Sequence, residues 1–328
     1  MLLITIIALG SCLHSSHNLE PIERVQSHMG TYGRVLIYGG NNTDVDAAFA
    51  KIKELDNLFS DYDPDSEISE INKMAGVKAV MVDPQVIQVL ETAKRVASET
   101  GGVFDPTIGA LTIGVYRFGR ESEAEPNINY VDKAKSLVNY KDLIIEGDKV
   151  YLKNKGMMID LGAIGKGYAV EQAVRVLKQR GVPSGIVSLS GDLNVFGDQV
   201  EVAIRNPENE EAIATFTTKS EDLAISTSGS YERSVNIDGV VYHHLIVPES
   251  GRPGSDFLSL TVVTEDSSTL ADAYATALFI MGKDKALTFL NSHNEIGVFI
   301  VFPDHSIYYN DTFAKLVSNL DIEEVESK

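Results

Sequence analysis

Positive charge is scarce in this sequence, and long hydrophobic runs are missing. Only 28 lysine and arginine residues stand against 47 aspartate and glutamate residues, which gives a net charge of −19 over 328 residues. Nucleic acid binding needs a basic face, so this balance argues against a nucleic acid partner, although a nucleotide needs only a local basic or metal site. No apolar stretch reaches the roughly 18 residues of a membrane-spanning helix. Internal repeats and low-complexity segments are also missing, and a hydrophobic content of 44% is enough for a large core.

Cysteine is nearly absent, since Cys12 is the only one in the chain. It follows an apolar run at residues 2–9 and the small residues Gly10 and Ser11. This pattern resembles a bacterial lipoprotein signal, which is cleaved before a cysteine that then carries lipid. The basic residues that usually open such a signal are missing after Met1. The alternative is a buried thiol that carries no lipid.

The lipoprotein resemblance implies a division of the chain into three parts. Residues 1–11 would be the signal peptide, residues 12–28 the lipidated N-terminus with a polar tether, and residues 29–328 the folded domain. It also implies a location at the extracytoplasmic side of a bacterial membrane, on the periplasmic face, where acyl chains hold the protein at the bilayer.

The sequence lacks the Walker phosphate-binding motif, but it contains another glycine-rich turn that could bind a phosphate. Residues 157–161 are apolar except for Asp160 and predict a buried strand, and the residues up to Leu177 have helical spacing. Glycines let the backbone approach a ligand, a helix N-terminus offers unpaired N–H groups to an anion, and Lys166 adds positive charge. A divalent cation beside a phosphate would explain both the turn and Asp160. The alternative is a turn with a purely structural role.

A second candidate site lies in the small-residue helix predicted over residues 271–279, which Gly282 stops. Asp272 and Thr276 are four residues apart and therefore share one face of this helix. Magnesium takes oxygen ligands and keeps phosphates and waters around it, so this pair predicts a magnesium site. The alternative is that Thr276 bonds back to its own helix and that Asp272 compensates the charge of the helix N-terminus.

Three further segments complete the predictions. Tyr62 lies in a turn-rich loop and is either a surface residue or a stacking platform for a ring. A strand over residues 242–248 carries His243 and His244, which face opposite sides of a sheet, so only one of them can meet a ligand. A last helix is predicted over residues 312–320.

Eight segments, taken together and in order, resemble the ApbE family of FAD:protein FMN transferases. The match spans almost all of residues 29–302. The segments are MGTYG at 29, SDYDPDSEISEIN at 60, GGVFDPTIGAL at 101, IDLGAIGKGYAVE at 159, LSGDL at 189, ISTSG at 225, YHHLIVPESGRP at 242 and ADAYATALFIMG at 271.

This resemblance implies an α+β fold with a largely antiparallel sheet core flanked by helices. It also implies a magnesium-dependent enzyme that cleaves FAD, attaches FMN through a phosphoester to a threonine or serine of a target redox protein, and releases AMP. One alternative is a magnesium-dependent FAD pyrophosphatase that gives FMN and AMP. Another is a non-catalytic lipoprotein that binds FAD.

The resemblance also implies roles for individual residues. It places contacts with FAD at Met29, Tyr62, Val103, Phe104, Asp105, Asp160, Lys166 and Ile246. It places the metal at Asp272, Thr276 and the backbone carbonyl of Ala163, with Ala275 close by. His244 and Asp272 would be the catalytic residues. Val247 departs from the family pattern, which has an aspartate there, and proton transfer would be weakened if that aspartate orients the histidine.

Overall fold

The computed structural model describes residues 20–119, 128–231, 234–237 and 240–323. Cys12, the predicted lipidation site, lies outside these ranges, as does all of the predicted signal peptide. No helix among the described residues is long and apolar enough to cross a bilayer.

The described chain contains both strands and helices, with a long run of strands and no helix over residues 184–264. The strands are β1 (Pro21–His28), β2 (Thr31–Tyr38), β3 (Val80–Met81), β4 (Leu143–Glu146), β5 (Lys149–Leu152), β6 (Ser184–Leu189), β7 (Asp192–Phe196), β8 (Glu201–Arg205), β9 (Ala212–Thr218), β10 (Asp222–Gly229), β11 (Ser234–Ile237), β12 (Val240–His243), β13 (Ile246–Val247), β14 (Arg252–Pro253), β15 (Ser259–Thr264), β16 (Gly297–Val301), β17 (Ile307–Tyr309) and β18 (Val317–Ile322). The helices are α1 (Asn42–Phe59), α2 (Glu67–Lys73), α3 (Pro84–Glu99), α4 (Gly109–Leu111), α5 (Val131–Lys135), α6 (Gly165–Gln179), α7 (Ser268–Met281), α8 (Lys283–Leu290) and α9 (Asp311–Leu316).

An eight-stranded sheet with the order β1-β2-β6-β7-β10-β15-β16-β17 forms the centre of the fold. Every neighbouring pair in it is antiparallel. Small sheets with the orders β18-β9-β8 and β3-β5-β4, and the pairs β11-β12 and β13-β14, lie around it. The predicted α+β class with a largely antiparallel sheet is therefore confirmed.

Both faces of the central sheet are buried, because successive side chains of a strand point to opposite sides. In β2, Val35 and Ile37 face a core that includes α1, α3, α6 and α7, while Leu36 faces a second core. The second core is closed by β8, β9, α9 and β18. Strands such as β6 and β16 therefore contain mainly apolar or small residues and have no exposed side.

The prediction of a polar tether up to residue 28 is wrong for its last part. Pro21–His28 forms β1 and pairs with β2 along its full length. One side of β1 is only half-buried, and Arg24 and Gln26 occupy two positions on that side. Arg24 forms an ion pair with Asp46 of α1. The strand shows little hydrophobic alternation because polar side chains take part in its inner contacts.

The predicted last helix also differs from the structure. Only Asp311–Leu316 is helical, and the chain then extends into β18, which pairs with β9. Val317 becomes buried in the second core by this pairing. Pairing with a strand about a hundred residues earlier in the chain has overridden the local helical spacing, as tertiary contacts often do.

Residues 157–161 are extended but do not form the predicted strand. They make one isolated parallel bridge, between Met158 and Ile108. The Asn72 side chain replaces a neighbouring strand, because its Oδ1 accepts the Ile159 N–H at 2.6 Å and its Nδ2 donates to the Ile159 carbonyl at 2.9 Å. The Asp160 N–H donates to the Pro106 carbonyl. Side-chain and loop contacts thus satisfy the backbone of this buried segment.

Candidate active site

Helices α6 and α7 are in direct contact at Gly167. A Cβ atom built on Gly167 would lie 2.2 Å from the Ser268 carbonyl oxygen and 2.7 Å from the Asp272 Cβ. Only glycine fits at such a separation. The Gly167 N–H donates to Asp272 Oδ2 at 2.9 Å, so the contact also fixes the carboxylate. The glycine-rich turn therefore has a structural role, and that role brings the two predicted sites together.

The Gly167 amide needs an acceptor from outside its own helix. Gly167 is the third residue of α6, which begins at Gly165, and the first four N–H groups of a helix have no intrahelical acceptor. The Asp272 carboxylate on α7 supplies that acceptor. The family resemblance assigns the carbonyl of Ala163, which precedes α6, to the metal.

Two buried carboxylates share one ammonium group at this contact. Asp192 and Asp272 are almost fully buried, and Lys166 Nζ lies 2.6 Å from Asp192 Oδ2 and 3.5 Å from Asp272 Oδ2. Burial raises the pKa of Asp272 well above its usual range, and the charge of Asp192 raises it further. Lys166 and the Gly167 N–H act in the opposite direction. A cation is therefore favoured at this point.

Hydroxyl groups complete the surroundings of the carboxylates. Thr276 is half-buried, and its Oγ1 lies 3.3 Å from Ser228 Oγ on β10. On the same strand, Ser226 Oγ donates to Asp192 Oδ1. Thr276 thus contacts a neighbouring strand, which differs from the alternative that it bonds to its own helix.

The residues at the contact fit magnesium by their chemistry. The carboxylate of Asp272, the hydroxyl of Thr276 and the carbonyl of Ala163 are the oxygen donors that this ion prefers. Within the described ranges, no group of three or more His, Cys, Asp or Glu side chains gathers at one point. Magnesium usually takes one or two carboxylates and leaves its other positions to water and phosphate, so a site of this kind suits it.

Most of the predicted FAD contacts belong to, or touch, residues 103–118. The six are Val103, Phe104, Asp105, Tyr62, Asp160 and Ile246. Tyr62 donates its hydroxyl hydrogen to the Phe118 carbonyl at 2.8 Å, and Thr112 Oγ1 donates to Asp160 Oδ2 at 2.5 Å. Ile246 packs in the apolar cluster that contains the buried side chain of Tyr116. The remaining two, Met29 and Lys166, lie at the N-terminal end of α6, where the Met29 side chain reaches Gly165.

The carboxylates of Asp105 and Asp160 both accept hydrogen bonds from backbone N–H groups of nearby residues. Asp105 Oδ1 accepts hydrogen bonds from the amide and hydroxyl of Thr107, and Oδ2 accepts the Tyr140 N–H at 2.7 Å. Burial raises the pKa of Asp105, and these hydrogen bonds oppose the change. Asp160 Oδ1 accepts the Gly162 N–H at 2.7 Å. These bonds give the Asp160 carboxylate partners within the protein, and the expectation of a divalent cation beside it stays a prediction.

The two histidines do not lie on one continuous strand, so the predicted strand over residues 242–248 is wrong. His243 ends β12, and His244 lies in the bend before β13. His243 Nε2 donates to the Gly254 carbonyl at 2.8 Å, and its Nδ1 accepts the Leu245 N–H at 3.3 Å. Burial lowers the pKa of His243. With both ring nitrogens engaged and the neutral form favoured, His243 has a structural role, while His244 is half-buried.

Two of the remaining predicted positions offer little side-chain surface. Ala275 is fully buried within α7, so only its backbone can approach a ligand. Val247 pairs with Arg252 in the β13-β14 ribbon and packs against the main core. An apolar side chain therefore fills the position at which the family pattern has an aspartate.

Sequence reasoning missed the residues that hold α6 and α7 in place. Glu171 Oε2 accepts the Thr269 N–H at 3.2 Å and the Thr269 hydroxyl at 2.7 Å, and it also accepts the Ser267 hydroxyl. It thereby caps α7 one turn before Asp272. The sequence showed Asp192 only as the acid of the LSGDL segment and did not predict its ion pair with Lys166.

The chain belongs to the ApbE family, whose model matches residues 29–300. Two similar proteins are named FAD:protein FMN transferase. That of Treponema pallidum is 27% identical, over 91% of this chain and 89% of its own. That of Escherichia coli K12 is 30% identical, over 79% and 78%. A crystal structure of the ApbE protein of Thermotoga maritima is also similar, with 28% identity, coverage of 92% and 100%, and a TM-score of 0.83.

The close helix contact gives a prediction with a matched control. Gly167→Ala should lower both the unfolding midpoint and the affinity for magnesium, because the new methyl group meets backbone at 2.2 Å. Gly165→Ala should do neither, because its Cβ would meet ordinary contacts at 3.5–3.7 Å. Thermal unfolding and calorimetric titration with magnesium measure the two effects. Equal behaviour of the two variants would contradict this account.

Proposed function

We propose that this protein is a magnesium-dependent FMN transferase. It cleaves FAD, attaches FMN through a phosphoester to a threonine or serine of a target redox protein, and releases AMP. Family membership and the names of the relatives support the reaction. The observation that carries the proposal is the contact of α6 with α7, where Lys166, Asp272 and Thr276 meet beside a helix N-terminus.

The reaction exchanges the phosphoanhydride bond of FAD for a phosphoester bond to the acceptor. The acceptor hydroxyl oxygen attacks the phosphorus of the FMN half, and the bond from that phosphorus to the bridging oxygen breaks. AMP leaves with the bridging oxygen and the bonding electron pair. His244 accepts the hydroxyl proton, since an imidazole can take up a proton near neutral pH.

Asp272, Thr276 and the Ala163 carbonyl would hold the metal. Magnesium, when bound, supplies a Lewis acid that neutralises charge on the non-bridging oxygens of the diphosphate. Lys166 and the N–H groups at the start of α6 attract the same diphosphate. Tyr62, whose side chain is anchored through its hydroxyl and is 46% exposed, offers a ring for stacking against an aromatic part of FAD.

The metal requirement can be tested with Asp272→Asn and Asp272→Ala. Both should reduce FAD cleavage by roughly 10³-fold or more, because a Lewis acid contributes several kcal/mol. The asparagine keeps an acceptor for the Gly167 N–H, so the protein should stay folded. Asp284→Ala, which alters an exposed acid on α8, is the control. Normal turnover of the Asp272 variants with magnesium present would reject the site.

The products of the same incubation separate the competing functions. FMN bound covalently to an acceptor protein indicates the transferase, and FMN with AMP in solution indicates a pyrophosphatase. Unchanged FAD in the presence of magnesium and acceptor would indicate a non-catalytic FAD-binding protein.

The role of His244 can be tested against that of its neighbour. His244→Asn should lower kcat by roughly 10²–10⁴-fold, which is the usual contribution of a general base. His243→Asn should lower the unfolding midpoint and leave most of kcat, because His243 bonds to Gly254 and Leu245. An equal loss of kcat in both variants, or a larger loss in His243→Asn, would overturn the assignment.

We also propose that the protein is anchored through a lipid on Cys12, at the extracytoplasmic side of a bacterial membrane. The proposal is supported by the apolar run at residues 2–9 followed by Leu9-Gly10-Ser11-Cys12. Cys12→Ser should release the protein from membranes and leave FAD cleavage in solution intact. Metabolic labelling with a tagged fatty acid is the direct measurement. A wild-type protein that takes up no label and fractionates with the cytosol would reject both the anchor and the location.

A further inference from the structure

We propose that Asp192 is a positioning residue that holds Lys166 away from Asp272 and so keeps the Asp272 carboxylate available to magnesium. The inference rests on the metal site of the proposed function. It concerns a residue that the family resemblance left without a role, and it explains why a second buried acid lies next to the predicted metal ligand.

The backbone and side chain of Asp192 are both held in place. Asp192 begins β7, in the middle of the eight-stranded sheet, and pairs with Leu189 on β6 and with Ser226 on β10. Ser226 Oγ donates to Asp192 Oδ1, and Lys166 Nζ lies 2.6 Å from Oδ2. Both carboxylate oxygens are thus engaged by neighbouring side chains. A buried acid fixed in this way can direct a flexible lysine.

Lys166 has two carboxylates within reach and lies nearer to Asp192. Its Nζ is 2.6 Å from Asp192 Oδ2 but 3.5 Å from Asp272 Oδ2. If Asp192 carried no charge, Asp272 would be the other of these two carboxylates to which the ammonium group could move. A closer ion pair with Lys166 would neutralise Asp272 and compete with any metal ion. The negative charge of Asp192 prevents this and also favours a cation nearby.

A second lysine–aspartate pair joins the same helix, α6, to another strand of the central sheet and supplies the control. Lys178, near the end of α6, pairs with Asp222 at the start of β10. Both partners of this pair are substantially exposed to solvent, so their charges are screened, and neither touches Asp272 in the described chain.

The test measures the binding of magnesium alone to the full chain by calorimetry, without FAD. Asp192→Asn should weaken binding by at least about tenfold, because Lys166 then moves onto Asp272. The double variant Asp192→Asn with Lys166→Met should regain the lost affinity, since the competing ammonium is gone. Asp222→Asn should bind as the wild type does. Thermal unfolding of each variant checks that it is folded.

Rescue by the second substitution separates positioning from other roles. If Asp192 were a metal ligand or only a structural residue, removal of Lys166 would not restore binding, and an unrescued double variant would overturn the proposal. Unchanged binding in Asp192→Asn would overturn it as well. Should Asp192→Asn fail to fold, Ser226→Ala, which removes the hydrogen bond to Oδ1, should weaken binding in the same direction. No weakening in that variant would contradict the proposal.

The outcome is independent of the reaction that the protein catalyses. A wild-type protein that binds magnesium but leaves FAD intact would defeat the proposed function, and the comparison of variants would still decide the role of Asp192. A wild-type protein that binds no magnesium would overturn both proposals, because Asp192 would then have no metal ligand to protect.

Discussion

The close contact of α6 with α7 at Gly167 is the constraint on which the site depends. Because the residue has no side chain, the N-terminus of one helix reaches the side of another, and a backbone amide binds the Asp272 carboxylate directly. Glu171 secures the same pair of helices one turn further along. Displacement of either helix would move the oxygen donors, the helix N-terminus and the lysine together.

The contact between α6 and α7 carries a local excess of negative charge within a chain that is strongly acidic as a whole. The net charge of −19 would repel an anionic substrate from most of the surface. Two buried carboxylates beside one ammonium leave a local excess of negative charge, which a divalent cation would reverse. In the proposed function, binding of a diphosphate should therefore depend on prior binding of metal, since the described residues provide only Lys166 as a cation at this point.

The helix that carries the predicted metal ligands could be predicted from the sequence. The pairing of distant strands and of distant charged side chains could not. Asp272 and Thr276 were placed on one helix face by their spacing alone, and the structure has that helix over Ser268–Met281. The sequence did not predict β1 as a strand because polar residues line its inner side. It did not predict β18 because the strand that pairs with β18 is remote in sequence. The pairing of Asp192 with Lys166 likewise depends on sheet order, which local patterns do not encode.

The edge strand β1 has a consequence for the reach of the enzyme. If Cys12 carries lipid, only residues 13–20 separate the anchor from β1, and eight residues extend to at most about 28 Å. The site lies over β7, three strands away from β1, a further distance of roughly 14 Å. An acceptor hydroxyl would then have to lie within a layer on the order of 40 Å deep above the bilayer. Redox subunits whose flavin-bearing loops stand further out would be excluded by distance alone, whatever their sequence.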